Sequence, residues 1–214
     1  MSILSTFLLE PTWIPAPEHP CLPANQLHIW RARMQYPHPS NNRDSCAVFH
    51  DRSEKIQAAL FRNDVLQRYA RAESEPRVPR IFTSPGPRLH VAAAQCDHLA
   101  LIAVSWNARG LGLDLERVRE DLPFDEMADG FLDARAQWDL RITWSLREKA
   151  WKFFQFWTTN EACAQACPTS RSTHTHQVRG FSPEADFIAA LAIDGGPEAD
   201  VLYWDWQSQA HEVA

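Results

Sequence analysis

Leu111-Gly112-Leu113-Asp114-Leu115-Glu116 and, about forty residues further on, Phe153-Phe154-Gln155-Phe156-Trp157-Thr158-Thr159-Asn160-Glu161-Ala162 decide how this chain reads. In the first run strict alternation predicts a strand with three leucines on one face and Gly112, Asp114 and Glu116 on the other. Same-face neighbours lie roughly 7 Å apart, so the two carboxylates project side by side. Held that close, like charges gain from a shared cation, and an all-oxygen pair suits Mg²⁺; a half-buried strand with a solvated acidic face explains the same pattern. In the second run, Leu146, Ala150, Phe153/Phe154, Trp157, Glu161 and Ala164 recur at three and four residues and define one helical stripe that Glu161 interrupts. A carboxylate on such a face needs a cation partner unless it sits near enough the helix end to reach water.

Outward from these runs, the chain alternates strands and helices. The opening, with Pro11, Pro15, Pro17, Pro20 and Pro23, reads as an extended arm leading into a strand at Leu27-His28-Ile29-Trp30. Residues 31 to 46 read as loop. Apolar residues at helical spacing predict a helix from Asp51 to Tyr69, ended by Pro76 and Pro79. Leu99 to Trp106 and Gly110 to Glu116 read as strands joined in a hairpin at Asn107 to Arg109. After Pro123 a helical region runs from about Phe124 to Ala166, stopped by Pro168. A Ser-, Thr- and His-rich linker, Thr169 to Gly180, precedes two further strands, Phe187 to Ile193 and Val201 to Trp206, joined by a turn at Asp194-Gly195-Gly196. The order predicts an α+β protein of two similar halves, each a long helix on a small, mostly antiparallel sheet, divided as 1–108 and 109–214.

Composition narrows the function. With 214 residues, 45% hydrophobic and 22% charged, the chain can bury a core and is neither disordered nor fibrous. A formal charge of −6 and an isoelectric point near 5.8 argue against a general nucleic-acid binder, which needs a basic footprint. The longest apolar stretch, Leu99 to Trp106, falls short of the ~20 residues of a membrane-spanning helix, and Met1 to Leu9 carries no basic leader segment. Five cysteines without framework spacing read as reduced thiols, so a cytoplasmic protein is expected. The seven glycines form no phosphate-cradling loop, and no nucleophilic-serine motif is present. The nine tryptophans read as core and interface residues.

The two opening runs together resemble the paired motif of Sfp-type 4'-phosphopantetheinyl transferases, V-G-[VI]-D-x-E followed by F-x-x-W-[ST]-x-K-E-A-x-x-K. The order of the flanking elements is similar too: Leu27 to Trp30 resembles that family's opening strand, Asp51 to Tyr69 its first long helix and Ile188-Ala189-Ala190-Leu191-Ala192 its closing strand, so most of the chain is covered. The resemblance implies two pseudo-symmetric α/β halves with coenzyme A and Mg²⁺ in the cleft between them. It puts Asp114, Glu116 and Glu161 on the three metal-holding positions, with Glu161 and Asp114 as the catalytic carboxylates. The serine of an acyl or peptidyl carrier protein of secondary metabolism would attack the β-phosphate and release 3',5'-ADP. Such a fold supplies its own internal interface, so a monomer is expected.

The departures from that pattern are all of one kind. The lysines of K-E-A-x-x-K fall on Asn160 and Gln165, a Ser-His pair falls on Gln95-Cys96, a G-K-P element is replaced by Pro85-Gly86-Pro87, and an arginine early in the first helix falls on Ser53. Coenzyme A carries about four negative charges, and three lost charge-assisted contacts cost ~5 kcal/mol or more. Arg52, Lys55, Arg88 and Lys152 are the candidates to replace them. Two other outcomes stay open. The fold has lost coenzyme A transfer and binds a carrier protein or pathway enzyme, or performs other chemistry in its cleft. Alternatively, Cys163 and Cys167 with His174 and His176 hold zinc in an interaction module.

Overall fold

The computed structural model describes residues 8–34, 46–74, 89–106, 108–167, 176–195 and 198–207. Along the chain run β1 (Ile14–Pro15), β2 (Gln26–Arg33), α1 (Cys46–Ser74), β3 (His90–Cys96), β4 (Leu99–Ser105), β5 (Gly110–Arg117), α2 (Phe124–Phe131), α3 (Ala134–Arg141), α4 (Leu146–Ala166), β6 (His176–Phe181), β7 (Phe187–Asp194) and β8 (Asp200–Trp206). The strands form a five-stranded sheet, β1-β8-β2-β4-β3, and a three-stranded sheet, β5-β7-β6. The α+β class follows. Among the described residues no helix is long and apolar enough to cross a membrane.

Period-two alternation builds the layers. Leu27 and Ile29 of β2, Leu99, Leu101 and Ala103 of β4, Leu111, Leu113 and Leu115 of β5, and Ala189, Leu191 and Ile193 of β7 meet in one core between the sheets. The intervening residues Trp30, Ala32, Ile102 and Val104 face α1, where Phe61, Val65 and Tyr69 cover them. Ile188, Ala190 and Ala192 face α4. Strands β4 and β7 are thus buried on both faces, which is why they read as unbroken apolar runs. Tyr69 fastens α1 to the first sheet: its hydroxyl accepts from Trp30 Nε1 at 2.8 Å and bonds His28 Nδ1 at 2.7 Å. Burial there pushes His28 down to about 4 and holds it neutral.

Four expectations are corrected. β4 and β5 are not a hairpin: β4 lies between β2 and β3, so both its edges are taken, and the chain crosses to the other sheet through Ala108 and Arg109. β7 and β8 likewise part, β8 returning to run parallel beside β2. The region 124–166 is three helices, because the Asp133 side chain caps α3 by accepting from the Ala136 N–H and Ser145 caps α4 by accepting from that of Glu148. The polar stretch expected to be a linker contains β6, paired antiparallel with β7.

Candidate functional site

β5 is an edge strand, and α4 packs on the face opposite its leucines. Glycine makes that approach close. A Cβ on Gly112 would lie 1.9 Å from the Ala162 carbonyl oxygen, and one on Gly110 would lie 1.8 Å from that of Ala166. Only a strand with no side chain at these points, against a helix with alanines four residues apart, can meet backbone to backbone. Gln165 adds a polar stitch, its Oε1 accepting from the Leu113 N–H at 3.2 Å.

This seam sets Asp114, next along the face from Gly112, in the electrostatic field of both Glu116 and Glu161. Asp114 is pushed up to about 6, first by burial and then by the Glu116 charge, with Glu161 adding to it against a bond from the Leu115 backbone. Glu116 is also raised, chiefly by burial; Arg119 opposes the shift while Asp97 and Glu161 reinforce it. Asp114 Oδ2 is buried and has no hydrogen-bond partner among the described residues. An unpaired, partly buried carboxylate among like charges is costly unless a proton or a cation joins it. Glu161 itself is exposed on α4.

The three acids picked out from sequence are therefore brought into one electrostatic neighbourhood. Their all-oxygen donor set and the orphaned oxygen fit a hard divalent cation. As placed, however, no three Asp, Glu, His or Cys side chains among the described residues lie close enough to hold one ion together. The cationic candidates fare differently. Lys152 is engaged elsewhere on α4, donating to Thr143 Oγ1 at 3.0 Å and pairing with Glu148 at 3.2 Å. It sits nine residues before Glu161, about 14 Å along the helix axis. Arg88 and the side chains of Arg52 and Lys55 lie outside the described residues, as does His174 of the zinc reading. Cys163 packs with Ala162 and Ala166 against β7, and burial raises its thiol.

Sequence reading missed two neighbours of the acids, Arg119 and Asp97, and named a third, Cys96, only as a departure from the family pattern. Arg119 lies close enough to favour ionised Glu116. Asp97 turns the tight β3–β4 connection with φ 50° and pairs with Arg117 at 3.2 Å. Cys96, beside them, is pushed up to about 11 by burial, so a neutral thiol stands where the resemblance expects histidine. An Asp-His pair between two apolar strands is itself a turn signal that could have located Asp97. The positive field of Arg119 had no local signal.

Fold and site define an α+β protein with a carboxylate cluster at a strand–helix seam, acidic enough to want a cation. No family model matches the chain. It is similar to the 4'-phosphopantetheinyl transferase HetI of Nostoc sp. (strain PCC 7120), with 25% identity over 185 residues, covering 74% of this chain and 76% of that protein. That similarity supports the phosphopantetheinyl transferase superfamily and transfer as the general activity.

Proposed function

We propose that the protein is a divergent, Mg²⁺-dependent 4'-phosphopantetheinyl transferase that moves phosphopantetheine from coenzyme A to a serine of an acyl or peptidyl carrier protein in secondary metabolism. The observation that carries this reading is that Asp114 and Glu116 feel each other's charge or that of Glu161 from a distant segment, with one Asp114 oxygen unpartnered among the described residues. Asp114, Glu116 and Glu161 are the residues that would hold Mg²⁺, which when bound would supply positive charge against a pyrophosphate. Exposed Glu161 is the group that takes the serine proton. The serine oxygen bonds to the β-phosphorus, the bridging P–O bond breaks, and 3',5'-ADP leaves. In this reading residues 1–108 and 109–214 form the two halves around the cleft, with β8 returning to the first, and Arg52, Lys55 and Arg88 supply phosphate contacts.

Specific observations favour a second reading, in which the fold no longer accepts coenzyme A. Lys152 is committed to Thr143 and Glu148, Gln165 is committed to the strand backbone, and Cys96 is neutral. Three acids with few cations among the described residues repel a polyanion. Calorimetry of coenzyme A with Mg²⁺, followed by mass spectrometry of an added apo carrier protein, separates the two. Micromolar binding with a phosphopantetheine mass gain is the expected result. No heat at millimolar coenzyme A and no mass gain would establish the second reading.

A further inference from the structure

The turn at 182–186, which joins β6 to β7 in the second sheet, is tied to the rest of the molecule from several sides. From the N-terminal arm, the Leu9 carbonyl accepts from the Ser182 N–H at 3.0 Å. From β2, the Arg31 guanidinium lies over the Trp13 ring, 4.2 Å from its centroid, and donates to the Pro183 carbonyl, while its Nε donates to Asp205 of β8 at 2.8 Å. Arg33, on the same face of β2 as Arg31, donates to Glu184. From the β3–β4 turn, His98 bonds the other Glu184 oxygen at 2.8 Å and sets its ring edge-on to Phe187 at 5.3 Å.

These ties differ in what water can reach. The Arg31 side chain is 8% exposed, whereas Glu184 is 24%, His98 42% and Arg33 48% exposed. The inner tie is enclosed; the outer one is open to protons. Burial works to raise the Glu184 carboxyl, but the bonds and charges of Arg33 and His98 outweigh it and hold it below the ordinary carboxylate value. The outer tie is therefore at full strength above that ordinary value and is lost as pH falls through the lowered one. Asp205, the neighbouring carboxylate, bonds Arg31 and Arg33, which leaves Glu184 as the carboxylate bonded to His98.

What the outer tie holds is the rim between the sheets nearest the acids. The β3–β4 turn is pinned to the second sheet by His98 on Glu184 and by Asp97 on Arg117 of β5, the latter a pair with both side chains at least half exposed. Such an exposed pair contributes little by itself, so Glu184 is the stronger pin. Cys96, at the base of that turn, packs against the core between the sheets, is bonded by the Arg117 backbone and lies in the field of Glu116, Asp97 and Arg119. Its thiol reports whether the rim is closed. Leu99, Leu101 and Leu113 are fully buried between the sheets and keep them together, so release of the pin lifts the turn alone.

We propose that the 182–186 turn is an acid-releasable latch: ionised Glu184 holds the β3–β4 turn down beside Glu116, and protonation of Glu184 lets that turn lift from β5 and β7. The test is thiol labelling of the full-length protein with a pyridyl disulfide, resolved by residue in peptide mass spectrometry. Exposed Cys21 is the reference, and Cys163, packed between α4 and β7, monitors global unfolding. At neutral pH the Cys96/Cys21 rate ratio should rise about fivefold or more in Glu184→Gln, which mimics the protonated carboxyl, and in Arg33→Gln, which removes the second bond, with Cys163/Cys21 unchanged. In wild type the Cys96/Cys21 ratio should climb as pH falls below 4.5, the ordinary glutamate value, and in Glu184→Gln it should stay level. A Cys96 ratio unchanged in both variants, an acid rise that persists in Glu184→Gln, or Cys163 rising in step with Cys96 would each overturn the latch.

Discussion

The two faces of β5 are made by the same eight residues and answer to different demands. On one face Leu111, Leu113 and Leu115 are buried between the sheets, Leu113 completely. On the other, Gly112 lets the α4 backbone touch the strand, while Asp114 and Glu116 repel each other and Glu161. One face stabilises the fold; the other stores electrostatic tension. Because the period is two, the separation needs no extra sequence: each site residue is flanked by the anchors that hold it.

The contrast can be broken from either side. Leu113→Ala should have the largest effect, destabilising by about 3 kcal/mol in urea denaturation, since it empties a fully enclosed position. A loss below about 1 kcal/mol would mean that the leucine face is not the anchor. Gly112→Ala should cost about 2 kcal/mol, because the added methyl meets the Ala162 carbonyl and forces strand and helix apart. The same change should disturb the Glu161–Asp114 coupling.

Asp114→Asn should act in the opposite sense. The folded Asp114 titrates near 6 against an ordinary 3.8, so its favourable protonated contribution is full below 3.8 and is lost as pH rises through 6. Near neutral pH the variant should therefore be the more stable protein, by about 1 kcal/mol after allowing for partial exposure. The gain should vanish below about pH 3.8 in thermal melts taken across pH. A variant less stable than wild type at neutral pH would show that Asp114 is held by an attraction and not strained by repulsion.

Much of the fold was legible because burial leaves a period. β5 alternates, α4 repeats at three and four, and β4 and β7 are apolar throughout because each has a protein layer on both sides. What periodicity does not carry is partnership. It assigns a face to each residue without saying which strand lies alongside, so adjacent strands were read as hairpins when β4 and β5 part to different sheets. The breaks between α2, α3 and α4 were written locally, in Asp133 and in the capping box Ser145-Leu146-Arg147-Glu148, but a continuous helical period masked them. At the site, the acidic pair followed from alternation, whereas Glu161, expected to interrupt a buried stripe, is exposed: the buried stripe of α4 runs through Ala150, Phe154, Thr158, Ala162 and Ala166. That Asp114 keeps an unpartnered oxygen, and that Arg119 offsets the charge on Glu116, depend on loops and a third strand, which no local pattern specifies.

β8 lies parallel to β2, between β2 and β1, although about 170 residues separate Trp30 from its register partner Trp204. On the ribosome, β2 emerges long before the strand that covers one of its edges. Until residues 200–206 are made, that edge offers unpaired N–H and C=O groups to any neighbouring chain. The first sheet therefore cannot be completed until residues 200–206 are made. Completion of that sheet must wait for β8, in a folding reaction slowed by long loop closure and open to chaperone capture in the interval.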